Sequence, residues 1–307
     1  MKRLEQWLSR GRGLARSARA VLPGTAGAHR PVRLVLRLND VRLAAGLVRA
    51  TGEALTLDEW RNAVLMLHHW LGPTRVTFAG GEPARSPHLE DLVRFANRLD
   101  CPTHLITAGP LDQGDAEALI DRGLGALTIL VGGVDEGTHQ AAVGVPLHEA
   151  TSTLEAFQRA KSTRSRPLQV FVGVPLTAAS ASSAAAVAGW ARQAGADGVL
   201  GTLPLGIDAP GGAIQAVLGL GRDNHTPKHL LDHLSGKSKR NHGGMRMELL
   251  SDGTVLVSSL VGPIGNVRDG DPKALWEAAD EQVSAARSHP RPWDEVELVP
   301  ERLFSER

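Results

Sequence analysis

Cysteine is nearly absent: the 307-residue chain holds one, Cys101. One thiol closes no intrachain disulfide, which excludes a disulfide-stapled secreted scaffold and fits a cytoplasmic protein. Tyrosine is missing altogether, and aromatic residues make up 4% of the chain. With abundant alanine and glycine and far more arginine than lysine, that reads as genome composition rather than function. The formal net charge is +1, too balanced for bulk affinity for nucleic acid, and no nucleic-acid partner is expected. No apolar run approaches the roughly 20 residues that span a bilayer, so no transmembrane segment is expected. A continuous apolar stretch with a cleavage site is missing near the N-terminus, which argues against a secretory signal. What remains is 42% hydrophobic residues, enough to bury a full core as one large domain or as one plus a small appendage.

Residues 1–21 mix Trp7, Leu8, Leu14, Ala18 and Val21 with Lys2, Arg3, Arg10, Arg12, Arg16 and Arg19. A helix of this kind packs on its own domain, which is the simpler reading, or lies peripherally on a membrane or a partner. Gly11 and Gly13 interrupt it. From residue 32 to about 205, strand and helix patterns alternate. Strands are expected at Val32–Leu38, Arg75–Ala79, His104–Thr107, Leu127–Val131, Leu168–Val174 and Gly198–Thr202. Thr56-x-x-Glu59 is a capping box that opens a helix carrying Trp60, Val64, Leu67 and Leu71, with Gly72 at its end. Ser86-Pro87 is expected to cap the next helix, and further helices are expected over 115–122, 147–161 and 182–194. Such repeats imply a parallel sheet with right-handed crossovers, as an open doubly wound sheet or a full or partial barrel.

Residues 206–242 break the rhythm and read as a linker around a short helix, Pro227–Leu234. His229 and His233 lie four apart on that helix, with His225 ahead and His242 nearby. Helical histidines at this spacing can share a zinc or heme iron, and the alternative is a solvated linker helix. Met245–Leu250, Ser251-Asp252-Gly253 and Thr254–Ser258 form a hairpin signal, and a last helix starts at Asp271-Pro272.

Chemistry concentrates at Gly80-Gly81-Glu82-Pro83, directly after the strand Val76-Thr77-Phe78-Ala79. Two glycines bring bare backbone close to whatever occupies the strand's C-terminal end, and Glu82 offers a carboxylate to the same space. Strand alternation adds a polar set. If Leu34/Leu36, Val76/Phe78 and Val170/Val172 face the helices, then Arg33, Arg37, Thr77, Thr128 and Gln169 face the lumen, with His104 beside them. Glu82 then binds an amino group at the mouth or pairs internally with Arg85 or Arg37. The polar lumen itself either holds a ligand or is a salt-bridged, hydrated core. Cys101 reads as a small buried side chain.

Gly80-Gly81-Glu82-Pro83 resembles the segment of radical SAM enzymes whose glutamate holds the amino group of S-adenosylmethionine. His104-Leu105-Ile106-Thr107-Ala108-Gly109 is similar to the family's strand ending in Thr-Asn-Gly, and Gly132–His139 to its strand-four loop. The resemblance implies a partial (β/α)6 TIM-like barrel over residues 29–205, after a basic arm at 1–28 and before the linker at 206–240. It also implies tentative ligand contacts at Gly80, Gly81, Glu82, Pro83, Arg37, Thr77, His104, Thr107, Thr128 and Gln169. Where the family has its CxxxCxxC loop, this chain has Arg42, Gly46 and Arg49. Asn241-His242-Gly243-Gly244, Asp252-Gly253, Pro263–Val267 and Leu275-Trp276 resemble the SPASM or twitch appendage, placed at 241–290 with a tail at 291–307. Its cluster cysteines are replaced by Asn241 or His242 and by Ser258 or Ser259.

The expectation drawn from this is a cluster-free pseudoenzyme with no cofactor, S-adenosylmethionine excepted. It would act as a binding subunit for an intact radical SAM enzyme or for a peptide or protein substrate. The alternatives are a small-molecule site at Glu82 and the lumen arginines, or a metal site at the histidines. The former cluster loop, residues 40–55, is expected to collapse inward through Val41, Leu43, Leu47 and Val48.

Overall fold

A computed structural model describes residues 30–31, 33–41, 48–175, 180–202, 246–257 and 262–282. The basic arm, Arg42, Leu43, Gly46, Leu47, the linker with its histidines, Ser258, Ser259 and the tail lie outside the described residues. Parallel strands β1 (Arg33–Leu36), β2 (Arg75–Phe78), β3 (Thr103–Thr107), β4 (Ala126–Leu130), β5 (Gln169–Pro175) and β6 (Gly198–Thr202) follow one another side by side. Helices α1 (Leu57–Leu71), α2 (Leu89–Arg98), α3 (Gln113–Arg122), α4 (Glu136–Val143), α5 (Leu147–Thr163) and α6 (Ala184–Gln193) fill the crossovers. This is the partial-barrel arrangement, with the sheet not closed on itself.

Local chemistry accounts for the elements. Thr56 and Glu59 bond each other's backbone at the start of α1, and its Trp60, Ala63, Val64 and Leu67 face is buried against the sheet. Burying one such large apolar side chain is worth roughly 1.5–3 kcal/mol. Gly72 ends the helix at φ +76°, a conformation that favours glycine. Asp112 and Asp115 form the same reciprocal cap on α3. Ser86 departs from expectation: it closes a 3-10 turn over Pro83–Arg85, and α2 begins three residues later, at Leu89 after His88. The strand-four loop also contains a full helix, α4, capped by Asp135, where only a loop was expected.

The expected hairpin is present as β7 (Arg246–Leu249) and β8 (Thr254–Leu256), extended by β9 (Pro263–Asn266). It does not stand apart. β7 runs parallel to β1 in the register Val35↔Glu248 and Leu36↔Leu249, giving the order β6-β5-β4-β3-β2-β1-β7-β8-β9. Among the described residues seven strands are therefore parallel, one more than expected. Helix α7 (Pro272–Ala278), capped by Asp271, packs back on α1 and sets Trp276 against Trp70.

Candidate functional site

In parallel strands every C-terminal end lies on one rim, so the segments after β1, β2, β3 and β4 meet at one mouth. Gly80 and Gly81 follow β2 with φ of +75° and +64°. A Cβ on Gly80 would overlap Arg37 Cγ, and one on Gly81 the Asn39 carbonyl. The space beside the two glycines is thus filled by this chain's own Arg37 and Asn39.

Asn39 holds the backbone of Glu82 from both sides, accepting from its N–H at 3.1 Å and donating to its carbonyl at 2.8 Å. The Glu82 side chain is 1% exposed. Its Oε1 accepts from Thr107 Oγ1 at 2.6 Å and from the Ala84 amide at 3.0 Å, and Oε2 accepts from the Ala108 amide at 3.0 Å. These bonds tie the end of β2 to the end of β3. An incoming ammonium group must share oxygens that already hold three protein donors.

Arg37 is buried, 2% exposed. Its guanidinium donates to the Val48 carbonyl at 2.7 Å and forms ion pairs with Asp40 at 3.5 Å and Glu248 at 3.6 Å. Asp40 also accepts from the Ala50 amide at 2.7 Å. The loop end is therefore anchored through backbone polar groups. This corrects the expected apolar collapse: Val41 is 42% exposed, its amide held by Asn39 Oδ1, and Val48 is only half-buried. Arg49 is exposed and donates to the Asp40 carbonyl at 3.4 Å.

A second clamp comes from the hairpin. Asp252 accepts from the Thr51, Gly52 and Thr254 amides at 2.8, 3.0 and 3.0 Å. Burial pushes its carboxyl up, but the Gly52, Thr254 and Thr51 donors outweigh it and leave the pKa below the ordinary value. Arg268 grips both oxygens of Glu59 at 2.7 and 3.1 Å and donates to the Glu53 and Ala54 carbonyls. That side-chain bond, then the Thr56 amide and hydroxyl, hold Glu59 down at about 2.

The concave face carries the rest of the polar set. Leu34, Leu36, Val76, Phe78, Val170 and Val172 are all buried in the helix-side core, so Thr77 and its register partner His104 lie on the other face. His104 Nε2 and Thr128 Oγ1 are 2.8 Å apart. Gln169 stands away from the mouth, exposed at the opening of β5 with its amide on the Gly125 carbonyl. Asn39 and Glu248 were missed in the sequence. The alternation Met247-Glu248-Leu249 is the signal for Glu248 once β7 is a barrel strand.

Among the described residues no group of three or more His, Cys, Asp or Glu could hold a metal ion, and the four candidate histidines lie outside them. Cys101 precedes β3 and therefore sits at the end of the sheet opposite Glu82. It is buried beside His68, and burial pushes its thiol up to about 11. An iron–sulfur cluster takes about four thiolates. One thiol at the far end of the barrel does not fit that group.

No family model matches the chain. It is 36% identical over 125 residues to a PqqA peptide cyclase of Streptomyces rochei, covering 40% of this chain and 33% of that protein. It is 35% identical over 95 residues to the PqqA peptide cyclase of Bradyrhizobium diazoefficiens, covering 31% and 25%. The chain thus matches about a third or less of those relatives' length. Among solved structures it is similar to Streptococcus suis SuiB bound to precursor peptide SuiA, with TM-score 0.65, 14% identity and coverage of 85% and 67%. It is also similar to anSMEcpe with bound AdoMet and a Cp18Cys peptide, with TM-score 0.62, 14% identity and coverage of 84% for both chains. The fold is shared with SuiB and anSMEcpe, and part of the chain is similar in sequence to PqqA peptide cyclases. The expectation of no cofactor is corrected here by its neighbours: SuiB and anSMEcpe have been solved with S-adenosylmethionine bound.

Proposed function

We propose that this chain, related to radical SAM peptide-modifying enzymes, is a binding subunit that takes a peptide partner. The partner is a precursor peptide, presented to an intact radical SAM enzyme or held for it. The observation that carries this reading is the state of Glu82. Its oxygens are engaged by Thr107, Ala84 and Ala108, so the residue works as a staple of the mouth. Two features support a peptide as the partner: the sequence relatives are named as peptide cyclases, and structural neighbours hold peptides.

What the chain's own residues do is bind and orient. Arg37, Asp40 and Asp252 fix the loop end, Asn39 fixes Glu82, and Glu82 fixes the rim of β3. The mouth becomes a preorganised surface, which lowers the ordering cost of binding. S-adenosylmethionine, if bound at this mouth, would supply the chemistry of its sulfonium centre.

The test is a fluorescence-anisotropy titration of a labelled PqqA-type peptide with the full chain, with and without S-adenosylmethionine. Saturable peptide binding in both conditions is expected. No peptide binding, together with S-adenosylmethionine binding that Glu82→Gln abolishes, would establish the small-molecule reading instead.

A further inference from the structure

Buried polar atoms in a folded protein have partners, and an exception points to something that supplies one. Thr77 Oγ1 is such an exception. The residue is 0% exposed and its hydroxyl meets no hydrogen-bond partner. It sits at the centre of the concave face, with Val35 of β1 on one side in register and His104 of β3 on the other. Leaving a buried hydroxyl unsatisfied is costly, and valine fits the same volume without that cost. The sequence nevertheless places a hydroxyl there.

Its surroundings narrow what the hydroxyl is for. The charges at the rim of this face are matched to one another: Arg37 with Glu248 and Asp40. His104 and Thr128 form a second polar pair one strand over. His104 retains 8% of its surface while Thr77 and Thr128 are sealed, so any approach to the three residues is from the side of His104. A charged ligand group entering here would lose its hydration without gaining an unmatched countercharge, which is unfavourable. A neutral group that both donates and accepts fits a threonine hydroxyl and a histidine–threonine pair.

We infer that Thr77, His104 and Thr128 form a subsite for an uncharged hydrogen-bonding side chain, a carboxamide or a hydroxyl, presented on a peptide. The inference deepens the peptide-binding reading and rests on it for the source of the side chain. Its test uses single-residue probes, so that failure of the subsite and failure of peptide binding are told apart.

Ligand-observed NMR titrations of the full chain would compare N-acetylglutamine amide, N-acetylserine amide and N-acetylglutamate amide. The two neutral probes are expected to bind and the glutamate probe is not. Thr77→Ser should keep affinity within about twofold, and Thr77→Val should weaken the neutral probes by roughly fivefold, the scale of one hydrogen bond. Thr128→Val, which removes the partner of His104 Nε2, should weaken them as well. Thr77→Val should also melt at a higher temperature than the native chain, because it removes an unsatisfied hydroxyl. Equal binding of all three probes, binding of none, or unchanged affinity in Thr77→Val would overturn the subsite. So would a Thr77→Val chain that melts lower or fails to fold.

Discussion

At the scale of single residues, Glu82 was the most legible and the most easily misread. Its place after a strand and two glycines locates the mouth from sequence alone. The sequence does not say which protons the carboxylate meets, since Ala108 and Thr107 lie more than twenty positions away and only the β2–β3 pairing brings them near. Replacing it with glutamine keeps the shape but turns one acceptor into a donor facing protein donors. Glu82→Gln is expected to cost about 1–3 kcal/mol of stability, read from urea denaturation midpoints at constant slope. A cost near zero would mean that the three bonds are dispensable. Cys101 carries a second prediction at this scale. Buried, with its pKa near 11, the thiol should react with a disulfide reagent at mildly alkaline pH only after denaturant is added. Prompt reaction of the native chain would contradict its burial.

At the scale of elements, helices with a chemical start signal were readable and segments held by distant partners were not. Thr56–Glu59 announces α1. Nothing near Thr51 or Gly52 announces that Asp252, two hundred positions on, closes the loop by taking their amides. Apolar residues suggested that the loop would bury Val41, but Asn39 and Asp40 anchor it by backbone bonds instead. Asp252→Asn should leave one or two amide donors badly matched and cost roughly 1–3 kcal/mol, measured by thermal unfolding. The Arg268–Glu59 clamp predicts a pH effect with a definite sign. Glu59 ordinarily titrates near 4.5 and here near 2. Its stabilisation is present above the ordinary value and is lost as pH falls through 4.5 toward 2. Melting temperatures should therefore drop across that acid window, and Arg268→Ala should make the drop shallower. An equal drop in native and variant chains would remove Glu59 from the account.

At the scale of the whole molecule, alternating strand and helix patterns define a parallel barrel, and the glycine-rich rim defines which end carries the site. The position of the hairpin was not readable, because strand order is set by β7 meeting β1 across more than two hundred residues. That placement brings Glu248 under Arg37 and Asp252 onto the loop, so the C-terminal hairpin completes the mouth. The result is a barrel whose rim is fixed by its own side chains and whose relatives and structural neighbours are associated with peptides.

The most direct test of this account measures the Glu82→Gln chain and the native chain side by side for two quantities, folding stability and affinity for a labelled PqqA-type peptide. The account predicts a lower unfolding midpoint for the variant and saturable peptide binding that is retained, weakened only by the added cost of ordering a looser mouth. A variant that keeps native stability but loses peptide binding would contradict it, because Glu82 would then be a ligand residue and not the staple of the mouth.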